Sequence, residues 1–165
     1  MADQRELVTG LAGRLGLAGL EPDEAGLYSL FVDGGLPVFM QFTPDGAGVV
    51  LFAGLGTIET GNAGAACRAL LEANHFWTET GGFTLCLIPG TLNLMLVGRE
   101  RVQHLEGDGL FLLFDRFVSA ASTWRQRLPG IAEDAPSASV EALLRAAEEA
   151  PPPAATATAF PGSFV

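Results

Sequence analysis

Lysine is missing from the sequence altogether, and all nine basic residues are arginine. A phosphate-binding P-loop needs a lysine on the phosphates and a Schiff-base enzyme needs a lysine amine, so both chemistries are excluded. Nineteen acidic residues give the chain a formal net charge of −10. Because neutralisation of phosphates supplies most of the affinity for nucleic acid, we expect no nucleic-acid partner. An acidic chain suits partners that carry a basic segment.

Histidine and cysteine are scarce, with two residues of each. His75, His104, Cys67 and Cys86 form no pair with the spacing of zinc ligands, so we expect no metal site. The cysteines are too few for a disulfide framework and are interpreted as buried free thiols, and both histidines as surface residues. No G-x-S-x-G motif marks a serine nucleophile, and Gly54-Leu55-Gly56 lacks the βαβ context of a dinucleotide site. We therefore predict no catalytic residue, no cofactor and no enzyme activity.

Long hydrophobic runs are also missing, although the sequence is 48% hydrophobic. No stretch approaches the ~18–20 apolar residues that span a bilayer. The N-terminus carries charges of both signs and leads into no apolar secretory segment. These patterns predict a soluble, cytosolic protein that does not use a membrane as a partner.

The chain divides into a patterned body and a biased tail. Residues 1–130 hold 14 acidic residues and 8 arginines, a net charge of −6. Residues 131–165 are rich in alanine and proline, with 5 acidic residues and 1 arginine. We predict one domain over 1–130 and an acidic tail over 131–165. One short helix is possible at 139–150, marginal in isolation, which either docks on the body or frays.

Hydrophobic periodicity predicts an α+β domain with the order α-βββ-α-βββ-α. The first helix places Leu7, Leu11 and Leu15 on one face, and the last is a strong amphipathic helix stopped by Pro129-Gly130. Short turns between the strands indicate an antiparallel sheet, on which we expect the helices to pack. The predicted strands cover residues 27–32, 36–43, 49–55, 83–88, 92–97 and a short 102–105, and the two later helices cover 62–76 and 108–128.

Several elements are apolar on both faces, which is unusual for an antiparallel sheet with one wet face. The stretches 36–42, 92–97 and 110–114 all show this surplus. Helices could cover both faces of the sheet. Otherwise the second face is covered by another subunit or left open for a peptide partner.

Two stretches resemble a known family. Residues 70–77, Leu-Leu-Glu-Ala-Asn-His-Phe-Trp, run into the glycine-led strand Gly-Gly-Phe-Thr-Leu-Cys-Leu at 81–87, and residues 113–118 lead to Trp124. Both resemble the CesT/Tir-type class I type III secretion chaperones, over about residues 4–128. The departure is the proline- and alanine-rich tail, which family members commonly lack.

The resemblance implies a homodimer in the bacterial cytoplasm. Such a chaperone binds the N-terminal region of a secreted effector in extended form and keeps it export-competent; whether the secretion ATPase also docks on it is left open. For each position below, a place in the protein core is equally expected. We assign effector binding to Leu7, Leu11, Leu15, Leu30, Val38, Met40 and Phe42. We assign the dimer interface to Ala66, Leu70, Leu85, Leu87 and Leu94.

Two other hypotheses remain. A protein-binding adaptor or regulatory module on a similar scaffold would be a monomer, or a dimer that binds a folded partner. A small-ligand carrier or enzyme would instead hold an enclosed cavity with polar groups converging near His75 or Cys86.

Overall fold

The computed structural model describes residues 3–32 and 35–131. The predicted tail, including the helix at 139–150, lies outside the described residues except for Ile131. That side chain is buried in the hydrophobic core. The division between the body and the tail stays a prediction.

Three helices form where the apolar periodicity predicts them. They are α1, Gln4–Arg14; α2, Ala63–Ala73; and α3, Gly109–Arg127. Asp3 begins α1 by accepting a hydrogen bond from the Arg5 N–H at 3.2 Å, which satisfies one of the free donors of the first turn. Asn62 and Asp108 occupy the N-cap positions of α2 and α3, but neither side chain makes a capping hydrogen bond. Asp108 instead lies 3.8 Å from the guanidinium of Arg14.

The sheet has five antiparallel strands in the order β1-β2-β3-β5-β4. This confirms the predicted α+β class. β1 to β3 form the predicted meander, and β5 lies between β3 and β4. The strands are β1, Leu27–Val32; β2, Leu36–Phe42; β3, Gly48–Thr57; β4, Thr84–Leu87; and β5, Asn93–Arg101.

The predicted sixth strand at 102–105 is wrong, because Val102–His104 form a single 3-10 turn. The Val102 N–H donates to the Ala47 carbonyl at 2.9 Å, and the Leu105 N–H closes the turn on Val102 at 2.9 Å. Val102 and Leu105 are both buried. The two side chains therefore anchor the segment that leads into α3, and this segment does not pair with another strand.

One hydrophobic core fills the space between the helices and one face of the sheet, which we call the inner face. Alternate strand residues point into it and meet the buried stripes of all three helices. Trp124 of α3 is 1% exposed, and its indole N–H donates to the Glu79 carbonyl at 3.2 Å. Phe83 packs directly against the backbone of Gly98 in β5. Only glycine fits at this position, since a Cβ would lie 2.6 Å from the Phe83 ring.

The other face of the sheet, the outer face, does not pack against the core formed by the described residues. The strand register places its residues in rows across the sheet. Phe39 and Phe52 are neighbours in the central row and stack with ring centroids 5.3 Å apart. The helices among the described residues therefore cover one face of the sheet and not both. The outer face consists of Leu27, Ser29, Phe31, Pro37, Phe39, Gln41, Val50, Phe52, Gly54, Thr84, Cys86, Met95, Val97, Arg99 and Arg101.

The two edges of the sheet differ in what they offer. At the β4 edge, the Asn74 side chain accepts from the Leu85 N–H and donates to the Leu85 carbonyl, both at 2.9 Å. The amide of Asn74 thus takes the place of a neighbouring strand at this point. The β1 edge carries no strand among the described residues.

Candidate functional site

The free edge of β1 presents a short row of unpaired backbone groups. The backbone N–H and C=O of Leu27 point away from β2. The N–H donates to the Asp23 carboxylate at 2.8 Å, and the C=O accepts from the Asp23 N–H at 2.9 Å. Backbone groups alternate in direction along an antiparallel strand, so the N–H and C=O groups of Ser29 and Phe31 also point away from β2. Within the described part of the chain, nothing bonds their two N–H and two C=O groups. This edge can accept one more strand.

A groove of about 510 Å³ runs along the same edge. Its floor is β1, and its walls come from the segment that follows α1 and from α3. Asp115 contributes a carboxylate to one wall. The apolar residues that line the groove are Leu15, Leu17, Leu20, Leu30, Phe31, Val32, Phe111, Phe114 and Val118.

The edge and the groove fit together as one site, which we call the edge groove. A strand added beside β1 would direct every second side chain to the inner side of the sheet, where the groove receives it. The remaining side chains would lie on the outer side, beside Phe31, which is 80% exposed. The geometry therefore suits an extended polypeptide better than a compact ligand.

A second apolar surface lies at the end of α2. Leu71 is 72% exposed, Phe76 78% and Trp77 53%. Phe76 and Trp77 both have a left-handed backbone, with φ of 53° and 54°, which is costly for aromatic residues. The Trp77 indole N–H donates to the Thr84 hydroxyl at 3.3 Å. This corner, which we call the α2 surface, holds two exposed aromatic rings in a fixed turn.

The seven residues assigned to effector binding mostly lie inside the protomer. Leu7, Leu11, Leu30, Val38 and Met40 are all less than 10% exposed. They face the core because their positions are the inward positions of α1, β1 and β2. Only Leu15 and Phe42 are half-buried, and Leu15 lines the edge groove. The structure thus places five of the seven in the core, and two of the seven, Leu15 and the buried Leu30, line the edge groove.

The five residues assigned to the dimer interface are likewise inward-facing. Ala66, Leu70, Leu85 and Leu94 are buried, and Leu87 is half-buried against the core. The exposed residues of the α2 surface are different ones. In the sequence, Leu71 lies outside the buried stripe of α2, and Phe76 and Trp77 follow the end of this helix.

Sequence reasoning missed the edge groove itself. Ser29 and Phe31 lie in a strand that was predicted with its correct bounds, but which edge stays unpaired depends on the strand order. Phe114 lies on the buried stripe of α3, and in the structure it also lines the groove, together with Val118. The alternation in β1, where Phe31 lies between Leu30 and Val32, is the signal that could have identified Phe31.

The described residues show no group of three His, Cys, Asp or Glu that could hold a metal ion. His75 and His104 are both exposed, and His104 lies 2.9 Å from the Glu100 carboxylate. Cys67 and Cys86 are free and half-buried, and burial raises the pKa of the Cys86 thiol. Of the helices in residues 3–32 and 35–131, none has the length and hydrophobicity to cross a membrane.

Residues 6–125 match the Tir chaperone protein (CesT) family. No curated protein sequence is significantly similar to the chain.

Several solved structures share the fold. The ExsC–ExsE complex contains a chain that is 21% identical, with a TM-score of 0.63 over 75% of this chain and 92% of that one. The structure of the Yersinia pestis type III secretion chaperone SycH, in complex with a stable fragment of YscM2, is 23% identical, with a TM-score of 0.57 over 72% of this chain and 97% of that one. The ExoU–SpcU complex from the type III secretion system of Pseudomonas aeruginosa contains a chain that is 20% identical, with a TM-score of 0.59 over 76% of this chain and 96% of that one.

The family match covers most of the body of the chain, from within α1 to within α3. It includes the Leu-Leu-Glu-Ala-Asn segment, whose Asn74 closes the β4 edge. The protein therefore belongs to the Tir chaperone protein (CesT) family of type III secretion chaperones.

Proposed function

We propose that this chaperone holds the N-terminal region of a secreted effector in extended form by adding it as a strand to β1. The observation that carries the proposal is the edge groove, in which unpaired backbone groups and an apolar channel lie side by side. The structures of similar fold include a type III secretion chaperone with a bound partner, SycH in complex with a stable fragment of YscM2. The bound segment would remain soluble and ready for export.

The physics of this mode of binding matches the task. An unfolded segment loses conformational entropy when it binds, so the interface must be long and must supply both hydrogen bonds and apolar contacts. Backbone pairing with Ser29 and Phe31 is independent of the partner's side chains. The groove adds contacts for alternate apolar residues, and Asp115 favours a basic residue beside them.

The activity we propose involves no turnover, so the protein is not an enzyme. Binding and release of a polypeptide need no nucleophile, general base or cofactor. The effector is captured in the bacterial cytoplasm, before export.

We also propose that two copies form a homodimer through the α2 surface. Leu71, Phe76 and Trp77 expose large apolar side chains at the end of a helix rich in alanine, which lets a second backbone approach closely. An exposed apolar patch of this kind marks an interaction site. The dimer would leave the edge groove of each protomer open, because β1 and β4 are opposite edges of the sheet.

Co-expression tests the proposal directly. The chain is produced with the first ~100 residues, about one domain's length, of each protein encoded beside it. The expected product is a complex of two chaperones with one such segment, measured by size-exclusion chromatography with light scattering. Hydrogen exchange should show protection of Ser29 and Phe31 only in the complex. A chaperone that elutes as a monomer and retains no unfolded segment contradicts the proposal.

Charged residues on the α2 surface should break the dimer. We expect the substitutions Leu71→Glu and Trp77→Glu together to give a folded monomer, because each buries an unpaired carboxylate in the interface. Leu112→Glu on α3 is the matched control, since Leu112 is 61% exposed and lies away from this surface. Light scattering over a concentration series measures the change. A dimer that survives the double substitution, or one lost with Leu112→Glu, places the interface elsewhere.

A further inference from the structure

The outer face of the sheet ends in two arginines that form no salt bridge with any residue in the described part of the chain. Arg99 and Arg101 are alternate residues of β5, and both are exposed. Within residues 3–32 and 35–131, no carboxylate lies within salt-bridge distance of either guanidinium, whereas Arg14, Arg68 and Arg127 all have one. The two arginines thus place neighbouring positive charges on one face of a chain whose net charge is −10.

The acidic residues nearby are already engaged. Asp45 accepts hydrogen bonds from the Thr43 hydroxyl at 2.6 Å and from the Ala47 N–H at 3.0 Å, so its carboxylate holds the β2–β3 turn. Glu100 accepts from the Arg101 N–H at 2.8 Å and lies 2.9 Å from His104. These groups line a surface pocket of about 600 Å³ together with both arginines. The pocket therefore has donors to offer and little net charge.

The arginines adjoin the apolar part of the outer face. Arg99 pairs across strands with Val50, and Val97 pairs with Phe52 in the next row. Two residues along a strand advance it by about 7 Å, so the arginines lie one and two rows beyond the Phe39–Phe52 stack. At the β1 edge, Phe31 belongs both to the outer face and to the edge groove.

We propose that Arg99 and Arg101 bind acidic side chains of the secreted polypeptide, directly beyond an apolar stretch that covers Phe39 and Phe52. The inference rests on the proposed function and adds a chemical requirement for the partner: apolar residues followed within a few positions by Asp or Glu. A single carboxylate fits this pocket better than a polyanion does, because Asp45 and Glu100 offset much of the positive charge. Planar guanidinium groups bind carboxylates in a two-pronged geometry, which makes the contact selective.

Selection from a peptide library tests this requirement. The full chain is immobilised and offered displayed random peptides about fifteen residues long, enough to cross the sheet in extended form. The wild-type protein should enrich Asp or Glu after an apolar stretch. Arg99→Gln with Arg101→Gln should still enrich the apolar stretch but lose the acidic preference. Arg5→Gln with Arg125→Gln, which removes the same charge elsewhere, should behave like the wild type.

A selected peptide is then used to measure how much the acidic residue contributes to the affinity. By fluorescence anisotropy, replacing its acidic residue with the amide should weaken binding about two- to fivefold per arginine contacted, as for exposed ion pairs. The same replacement should have no effect on the Arg99→Gln, Arg101→Gln background. Enrichment of apolar peptides without acidic residues overturns this inference and leaves the proposed function intact. A library from which the wild type retains nothing counts against the proposed function, and this inference fails with it.

Discussion

Capture of an effector segment should be lost when Ser29 is replaced by proline. The Ser29 N–H points to the free edge, so proline removes a donor that only a bound strand would use, and its ring obstructs the approach of that strand. The β1–β2 pairing keeps all its hydrogen bonds. We expect affinity for the co-expressed segment to fall about tenfold or more, since one hydrogen bond worth ~0.5–1.5 kcal/mol and its neighbours are lost. Isothermal titration with the purified chaperone measures the loss.

Two substitutions in the same strand separate this effect from damage to the fold. Ser29→Ala keeps the N–H and should bind as the wild type does. Leu30→Pro removes an N–H that faces β2, so it should lower the melting temperature, whereas Ser29→Pro should leave it nearly unchanged. Wild-type affinity in a folded Ser29→Pro protein would exclude strand addition at β1.

The second large effect concerns the two faces of β2. Met40 is 0% exposed on the inner face, so Met40→Asp buries an unpaired carboxylate and leaves a cavity. We expect a loss of more than about 3 kcal/mol in the free energy of unfolding, enough to prevent accumulation of folded protein. Urea denaturation followed by tryptophan fluorescence, at one fixed protein concentration, measures it.

Phe39→Asp, one residue earlier, is the matched comparison. Phe39 lies half-buried on the outer face and stacks on Phe52, so its loss should cost only about 0.5–1.5 kcal/mol from the ring pair plus part of its buried area. The variant should remain folded and bind effector less well. A folded Met40→Asp protein that has lost effector binding would show that the inner face is accessible and that the original assignment of Met40 was right.

The element types were predictable from sequence because each has its own local signal. The α3 stripe repeats every three to four residues, and glycine-containing turns separate β2 from β3 and β4 from β5. The 102–105 segment misled because its two apolar residues, Val102 and Leu105, are compatible with a short strand or a buried turn. Periodicity alone cannot distinguish these over four residues.

The site could not be predicted in the same way, because it depends on contacts between distant segments. Burial of Val38 and Met40 follows from which face the helices cover, and the sequence shows apolar residues on both faces. The edge groove needs β1 at the end of the sheet and α3 beside it, 80 residues further along the chain. The order β3-β5-β4 likewise follows from long-range pairing, which has no local signature.

The closure of the β4 edge by Asn74 has a consequence for copies of the chain among themselves. A sheet with two open edges can grow end to end, as each molecule's last strand joins the next molecule's first, and such growth leads to filaments. Here the four-residue β4 has the backbone of Leu85 occupied by a side-chain amide, so an incoming β1 finds no continuous row to join. The sheet can be extended in one direction only. End-to-end pairing of β1 with β4 between copies of the chain is therefore disfavoured.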